Sequence, residues 1–176
     1  GSGERVYFRN GINLATPNSS NNGFHNYLQL NDGQINATVP IAIGGTAAAN
    51  ALDDYEEGSW TPAIGGVSGN PTISYTQQAG KYIKIGRMVK LFGRIRPSSV
   101  SGGSGGVTIT GLPFTAHDDS DETGGSVGLA LGFTAVPTTL QVDGGNQVIY
   151  ILSSPNNTLV TDFDFSYLYF QIDYLT

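Results

Sequence analysis

Along Arg87–Arg96 the side chains change character at every second position: Val89, Leu91 and Ile95 fall on one face, and Lys90, Arg94 and Arg96 on the other. Charge opposite hydrocarbon at period two is the signature of a half-buried β-strand. No stretch of the chain offers apolar residues at helical spacing over three turns behind a capping residue, so almost no helix is expected. Similar short segments follow at the spacing of an all-β domain: Pro71–Gln77, Lys81–Gly86, Val107–Thr110 before the stop Gly111-Leu112-Pro113-Phe114, Ser126–Thr134, Thr138–Val142, Gln147–Leu152 and Phe163–Leu175. About eight strands within about 115 residues, linked by glycine-rich turns, predict an antiparallel β-sandwich of jelly-roll-like type.

At 176 residues the chain can bury one sizeable core with a small extension. Charged residues are 12% and glycines number 25, a balance typical of extracellular β proteins. A net charge of −6 argues against nucleic acid, whose phosphates need a basic field. Without cysteine there is neither a disulfide framework nor a thiolate metal site. No apolar run approaches the roughly 20 residues of a membrane span. Gly1-Ser2-Gly3 reads as a tag scar, and the chain as a fragment of something longer.

The section from Glu4 to Ala49 has weak periodicity. Val6, Phe8, Ile12 and Leu14 suggest a short strand, and Ala15–Gly23 is a polar tract. Tyr27–Leu30, the turn Asn31-Asp32-Gly33 and Gln34–Ile41 read as a hairpin. A lone hairpin is marginal in water. It becomes stable when other copies of the chain wrap around it, so this section reads as the end of a stalk.

Between stalk and strands lies Asn50–Pro62, with four carboxylates in five residues (Asp53, Asp54, Glu56, Glu57) ahead of the sole tryptophan, Trp60. The acids read as a solvated turn and Trp60 as a core anchor. The segment Leu-Asp-Asp-Tyr-Glu-Glu-Gly-Ser-Trp-Thr-Pro, with Gly80–Val89, Ile109–Phe114 and the tyrosine-rich end, resembles the C-terminal head of bacteriophage tail-fibre receptor-binding proteins. The resemblance spans about Asn50 to Thr176. It implies a homotrimer at the tip of a fibre whose outer loops adhere to host surface polysaccharide or protein, continuous with the rest of the fibre and located in the virion. The domain division expected is 1–3 tag scar, 4–49 stalk segment and 50–176 head.

The last strand supports assembly. Phe163, Phe165, Tyr167 and Tyr169 share one face and Leu168, Phe170, Ile172 and Tyr174 the other, so a second apolar face needs cover beyond the core. Phe92, on the charged side of its strand, poses the same question. Six of the eight basic residues, Lys81, Lys84, Arg87, Lys90, Arg94 and Arg96, lie in one ribbon, read chiefly as outward charge for solubility.

His117–Glu122 is the candidate metal loop, since clustered carboxylates suit Ca²⁺, but it lacks EF-hand spacing. Asp118, Asp119 and Asp121 are the candidate ligand-binding residues, for polar sugar or calcium contacts. The loops singled out are Ser98–Gly106, Ala116–Gly125 and Gly144–Asn146, with Ser101–Gly106 read as flexible. No nucleophile elbow, zinc-protease motif or phosphate loop is present. Carboxylates Asp143, Asp162, Asp164 and Asp173 leave a glycosidase formally open. The expectation is a non-catalytic receptor-binding fibre tip, against a purely structural fibre, neck or decoration trimer and a small glycan depolymerase.

Overall fold

The computed structural model describes residues 13–17, 24–31, 34–37, 41–42, 51–52, 54–118, 124–154 and 158–176. The chain forms two compact units, 1–53 and 54–176. In the first, β1 (Asn13–Pro17), β2 (Phe24–Asn31) and β3 (Gln34–Ala37) make an antiparallel sheet in chain order, and β4 (Ile41–Ala42) pairs with β5 (Ala51–Leu52). The hairpin expected around Asp32-Gly33 is the β2–β3 pair, with Asn31 opposite Gln34. β1 begins one residue before Leu14 and runs into the tract read as polar loop; Val6, Phe8 and Ile12 lie outside the described residues.

Among the described residues the second unit holds ten strands: β6 (Tyr55–Trp60), β7 (Ala63–Gly66), β8 (Gly69–Ile85), β9 (Met88–Ser104), β10 (Val107–Thr110), β11 (Gly124–Leu131), β12 (Pro137–Asp143), β13 (Val148–Ser153), β14 (Thr158–Leu159) and β15 (Tyr167–Leu175). Nine lie on one hydrogen-bonded path, β6-β8-β9-β15-β11-β12-β13-β10-β7, every pairing antiparallel, and β14 adds to β13. Among the described residues there is no helix, as the absence of helical periodicity requires.

The organising element is one long bent ribbon. β7 and β10 pair from Ala63↔Thr110 to Gly66↔Val107, and β8 and β9 from Gly69↔Ser104 to Ile85↔Met88, without net change of register between the two sets. Val67 N donates to Gly106 O (2.9 Å) and Ser68 N to Ser104 O (3.1 Å), carrying the pairing across the break. The ribbon's tip is the two-residue turn Gly86-Arg87, where Gly86 takes φ 56° at the first central position, as a type II′ turn demands. Its bend is lined by glycines because Phe163 packs into it. A Cβ at Gly66 or Gly103 would sit 3.0 Å from that ring. Past the bend β10 pairs with β13, whereas before it β9 pairs with β15. The same ribbon thus borders both margins of the β15-β11-β12-β13 sheet and draws them over one core.

That core is a single apolar cluster including Trp60, Val89, Leu91, Ile95, Val107, Ile109, Leu140, Val142, Ile149, Ile151, Phe165, Leu168, Phe170, Ile172 and Tyr174. Trp60 is the anchor expected of it: its Nε1 donates to Phe92 O (3.1 Å) and its ring meets Phe170 edge-on at 6.3 Å.

Several readings of the sequence change, the first being that Pro71–Gln77 and Lys81–Gly86, expected as two segments, are one continuous strand, β8. The acids Glu56 and Glu57 lie not in a turn but in edge strand β6, paired with Lys84 and Ile83. An edge strand tolerates carboxylates because its side chains stay in water. Ser101–Ser104 is not a free loop but the end of β9, paired against Gly69–Thr72. Phe163 and Phe165 precede β15 and are buried in the core with Leu168 and Phe170. The outer face of β15 is therefore Tyr167, Tyr169, Gln171 and Asp173, aromatic at one end and polar at the other.

Candidate functional site

At the end of the sheet where β12 turns into β13, two of the loops singled out in the sequence converge. The four residues Gly144–Gln147 link Asp143 to its cross-strand partner Val148. Asp143 braces them: its Oδ1 accepts from Asn146 N (3.0 Å), and its Oδ2 accepts from Asn146 Nδ2 (2.7 Å) and Tyr150 OH (2.9 Å). These donors favour the ionised form, the Asn146 amide most, and hold the carboxyl below its ordinary value. Tyr150 is pushed up, by burial and then by the same carboxylate.

Gln147 closes the turn in the left-handed region, φ 54°, the one non-glycine there among the described residues. Its side chain acts as a surrogate peptide: Oε1 accepts from Ala116 N (2.7 Å) and Nε2 donates to Ala116 O (3.0 Å) and to Gly144 O. This ties the 112–118 segment to the turn and seats Asp118 beside Gly145, where a Cβ would lie 3.1 Å from Asp118 Oδ1.

Asp118 forms a wall shared by two cavities. The larger, about 790 Å³ and open, is lined among others by Lys84, Phe114, His117, Asp118, Gly145 and Gln147. The smaller, about 270 Å³, lies between Asp118, Gln141, Asp143 and Tyr150. Lys84 is 8% exposed, its ammonium paired with Asp54 and 5.6 Å from the Phe114 ring centroid. Opposite the buried Val89 in register, it points inward and does not belong to an outward basic stripe. Phe114 packs edge-on against Tyr82 at 5.1 Å, and Tyr174 OH donates to Phe114 O (3.0 Å). The cleft thus offers an aromatic ring, an exposed carboxylate and glycine peptides, groups that can bind a polyol by stacking and hydrogen bonds.

Of the three candidate ligand residues, Asp118 stands in this cleft, and Asp119 and Asp121 lie outside the described residues. Among the described residues no group of three His, Asp or Glu side chains is arranged to hold a metal ion. Ser98–Gly106, the third loop singled out, lies in the bent part of the ribbon, away from the cleft. Sequence reasoning missed Lys84, Phe114, Gln147 and Tyr150. Asp-Gly-Gly-Asn at 143–146 signals a turn, but nothing marks a glutamine that mimics a strand.

A second surface is the outer face of β9 and β15. Arg94 lies over the Tyr169 ring and Arg96 over Tyr167, each 5.6 Å from the centroid, and the two tyrosine hydroxyls stand 2.6 Å apart. That shared hydrogen bond raises Tyr167 and, with Arg94 beside it, lowers Tyr169.

Neither a protein-family model, nor a curated protein, nor a solved structure matches the chain.

Proposed function

We propose that this chain is the receptor-binding tip of a bacteriophage tail fibre: a homotrimer of jelly-roll-like β-sandwich heads on a stalk segment, adhering to bacterial surface glycans without catalysis. The observation that carries the reading is the open cleft of about 790 Å³ at the loop end, with Asp118 exposed in its wall and Phe114 beside it. An adhesin needs an accessible polar cleft on a rigid scaffold, and its single-site affinity can be weak because several copies act together. The sandwich reading is supported by the bent ribbon, which brings both margins of the sheet over one core.

Asp143 does not suit the general-acid role of a glycosidase, since its donors hold the carboxyl below its ordinary value, and its hydrogen bonds are engaged in bracing the Gly144–Gln147 turn.

The test is binding of the full chain to arrayed host surface polysaccharides, with released reducing ends assayed in parallel. Binding without release, reduced roughly tenfold by Asp118→Ala, is the expected result, in line with loss of a charged hydrogen bond. Release of sugar would turn the reading to a depolymerase. Silence in both assays would leave a structural trimer.

A further inference from the structure

Strands β6, β8, β9, β15 and β11 present an outer face whose chemistry is wrong for water. The ladder register aligns its side chains in rows. Tyr55, Ile85, Met88 and Leu175 stand side by side across four strands, 55%, 53%, 58% and 41% exposed. Toward the other end, Phe92 is 39% exposed, and Leu129 and Leu131 flank the tyrosines that carry Arg94 and Arg96. Between these zones lies a depression of about 370 Å³, floored by Gly80 and Gly93 and walled by Lys81, Phe92, Arg94 and Tyr169.

We propose that this outer face is the self-association surface of the chain, covered by a neighbouring copy. The inference rests on the trimeric fibre-tip reading and gives that assembly its interface. Five strands spaced about 4.8 Å apart and a height of about eight residues give a face of roughly 650 Å², the order of the ~800 Å² each partner buries in a stable complex. Exposed aromatics with arginine and a hole to receive a side chain are the composition of interface centres.

Charge selects the partner and the mode. The face carries Lys81, Lys90, Arg94 and Arg96 against Glu57 and Asp173, a formal +2, on a chain of −6, so the remainder carries −8. Face against identical face would set positive on positive. The positive face against the acidic remainder of the next copy is complementary, and such a head-to-tail contact forms a ring of three when its rotation is about 120°. An acidic polysaccharide would satisfy the arginines but leave the Tyr55–Leu175 row in water, which favours a protein partner.

The test is the solution mass of the full chain by light scattering over a wide concentration range, for wild type, Met88→Asp and Phe92→Asp. Both side chains point away from the core, and circular dichroism and melting check that each variant folds; Arg94→Glu, a charge reversal without new bulk, replaces a variant that does not. Wild type at three chains and variants at one, with at least a roughly tenfold weaker association, is the expected result. A wild type of one chain, or variants that keep three, overturns the proposal. So does a monomer that binds dextran sulfate through Arg94. A trimer indifferent to these changes that still binds glycan removes this interface and leaves the receptor reading standing. A wild type of three chains whose variants fall to one, but which binds no glycan, does the reverse.

Discussion

Gly80 and Gly93 face each other across β8 and β9, and the absence of two methyl groups there decides where the largest rings of the core sit. A Cβ on Gly80 would fall inside the Trp60 indole, and one on Gly93 inside the Phe170 ring. Neither ring can yield, since Trp60 is tied to Phe92 O and meets Phe170 edge-on. Gly93→Ala is therefore expected to cost about 2 kcal/mol, within the usual range for overpacking. A thermal melt should show the midpoint fall by roughly 5–10 °C; an unchanged midpoint would mean that the rings move aside freely. Tyr174 offers a second test. Burial pushes its phenol up to about 12 from an ordinary 10.0. A raised folded value means that the folded state keeps a proton the unfolded chain gives up. The stabilisation is complete below pH 10 and lost as pH rises from 10 toward 12. Between those pH values wild type should lose melting temperature more steeply than Tyr174→Phe. Parallel curves would place the alkaline sensitivity elsewhere.

A strand or turn is the smallest piece that can position a ligand group, and in this chain the Gly144–Gln147 turn does so. Two hydrogen bonds from the Gln147 side chain hold the Ala116 peptide, and the 112–118 segment is held on either side of it by Tyr174 OH donating to Phe114 O and His117 N donating to Leu175 O. Gln147→Ala should leave the fold intact but free the Ala116 peptide, raising hydrogen exchange at its amide by roughly tenfold, since each such bond contributes about 1 kcal/mol. Glycan binding should weaken with it; unchanged exchange would show that the flanking bonds alone fix the peptide. This tie also marks the limit of what the sequence discloses. Alternation made β10, β12, β13 and β15 legible within a few residues, and β9 over its first half, because each has one face on a common core. Ser101–Ser104 was not legible as strand: glycine and serine carry no alternation, and their pairing is dictated by partners some thirty residues earlier. Lys84 was misread for a related reason. Its charge suggests an outward position, whereas the register set by Val89 across the turn turns it inward to meet Asp54. Asp118 could be singled out from its acidic neighbours, but Phe114 and Gln147 join the site only through tertiary contacts.

For the whole molecule, the position of β15 is the governing fact. The last strand in sequence lies between β9 and β11, with Leu168, Phe170, Ile172 and Tyr174 on its inward face, each at most 5% exposed. The bent ribbon can form from its own turn, but the sheet is not joined across until the chain's last strand arrives. Contacts of such long sequence separation make for slow folding. They also make the fold all-or-none with respect to its C-terminal end. Two substitutions separate what β15 does inside one chain from the assembly proposed for its outer face. Phe170 was read from the sequence as one side of a doubly apolar strand, but it is part of the monomer's own core, so Phe170→Asp should abolish the fold and not merely the assembly. Losing the buried ring and placing an unpaired carboxylate against Trp60 together cost on the order of the roughly 5–15 kcal/mol that holds a domain folded. Phe92→Asp, one strand away and facing outward, should leave circular dichroism and the melting curve nearly unchanged while the mass falls. A folded Phe170→Asp monomer would contradict the placement of β15. Deletion of residues 167–176 should likewise leave a chain without cooperative melting, whereas the unit from Asp54 onward, which holds the apolar cluster found among the described residues, should melt cooperatively without residues 1–53.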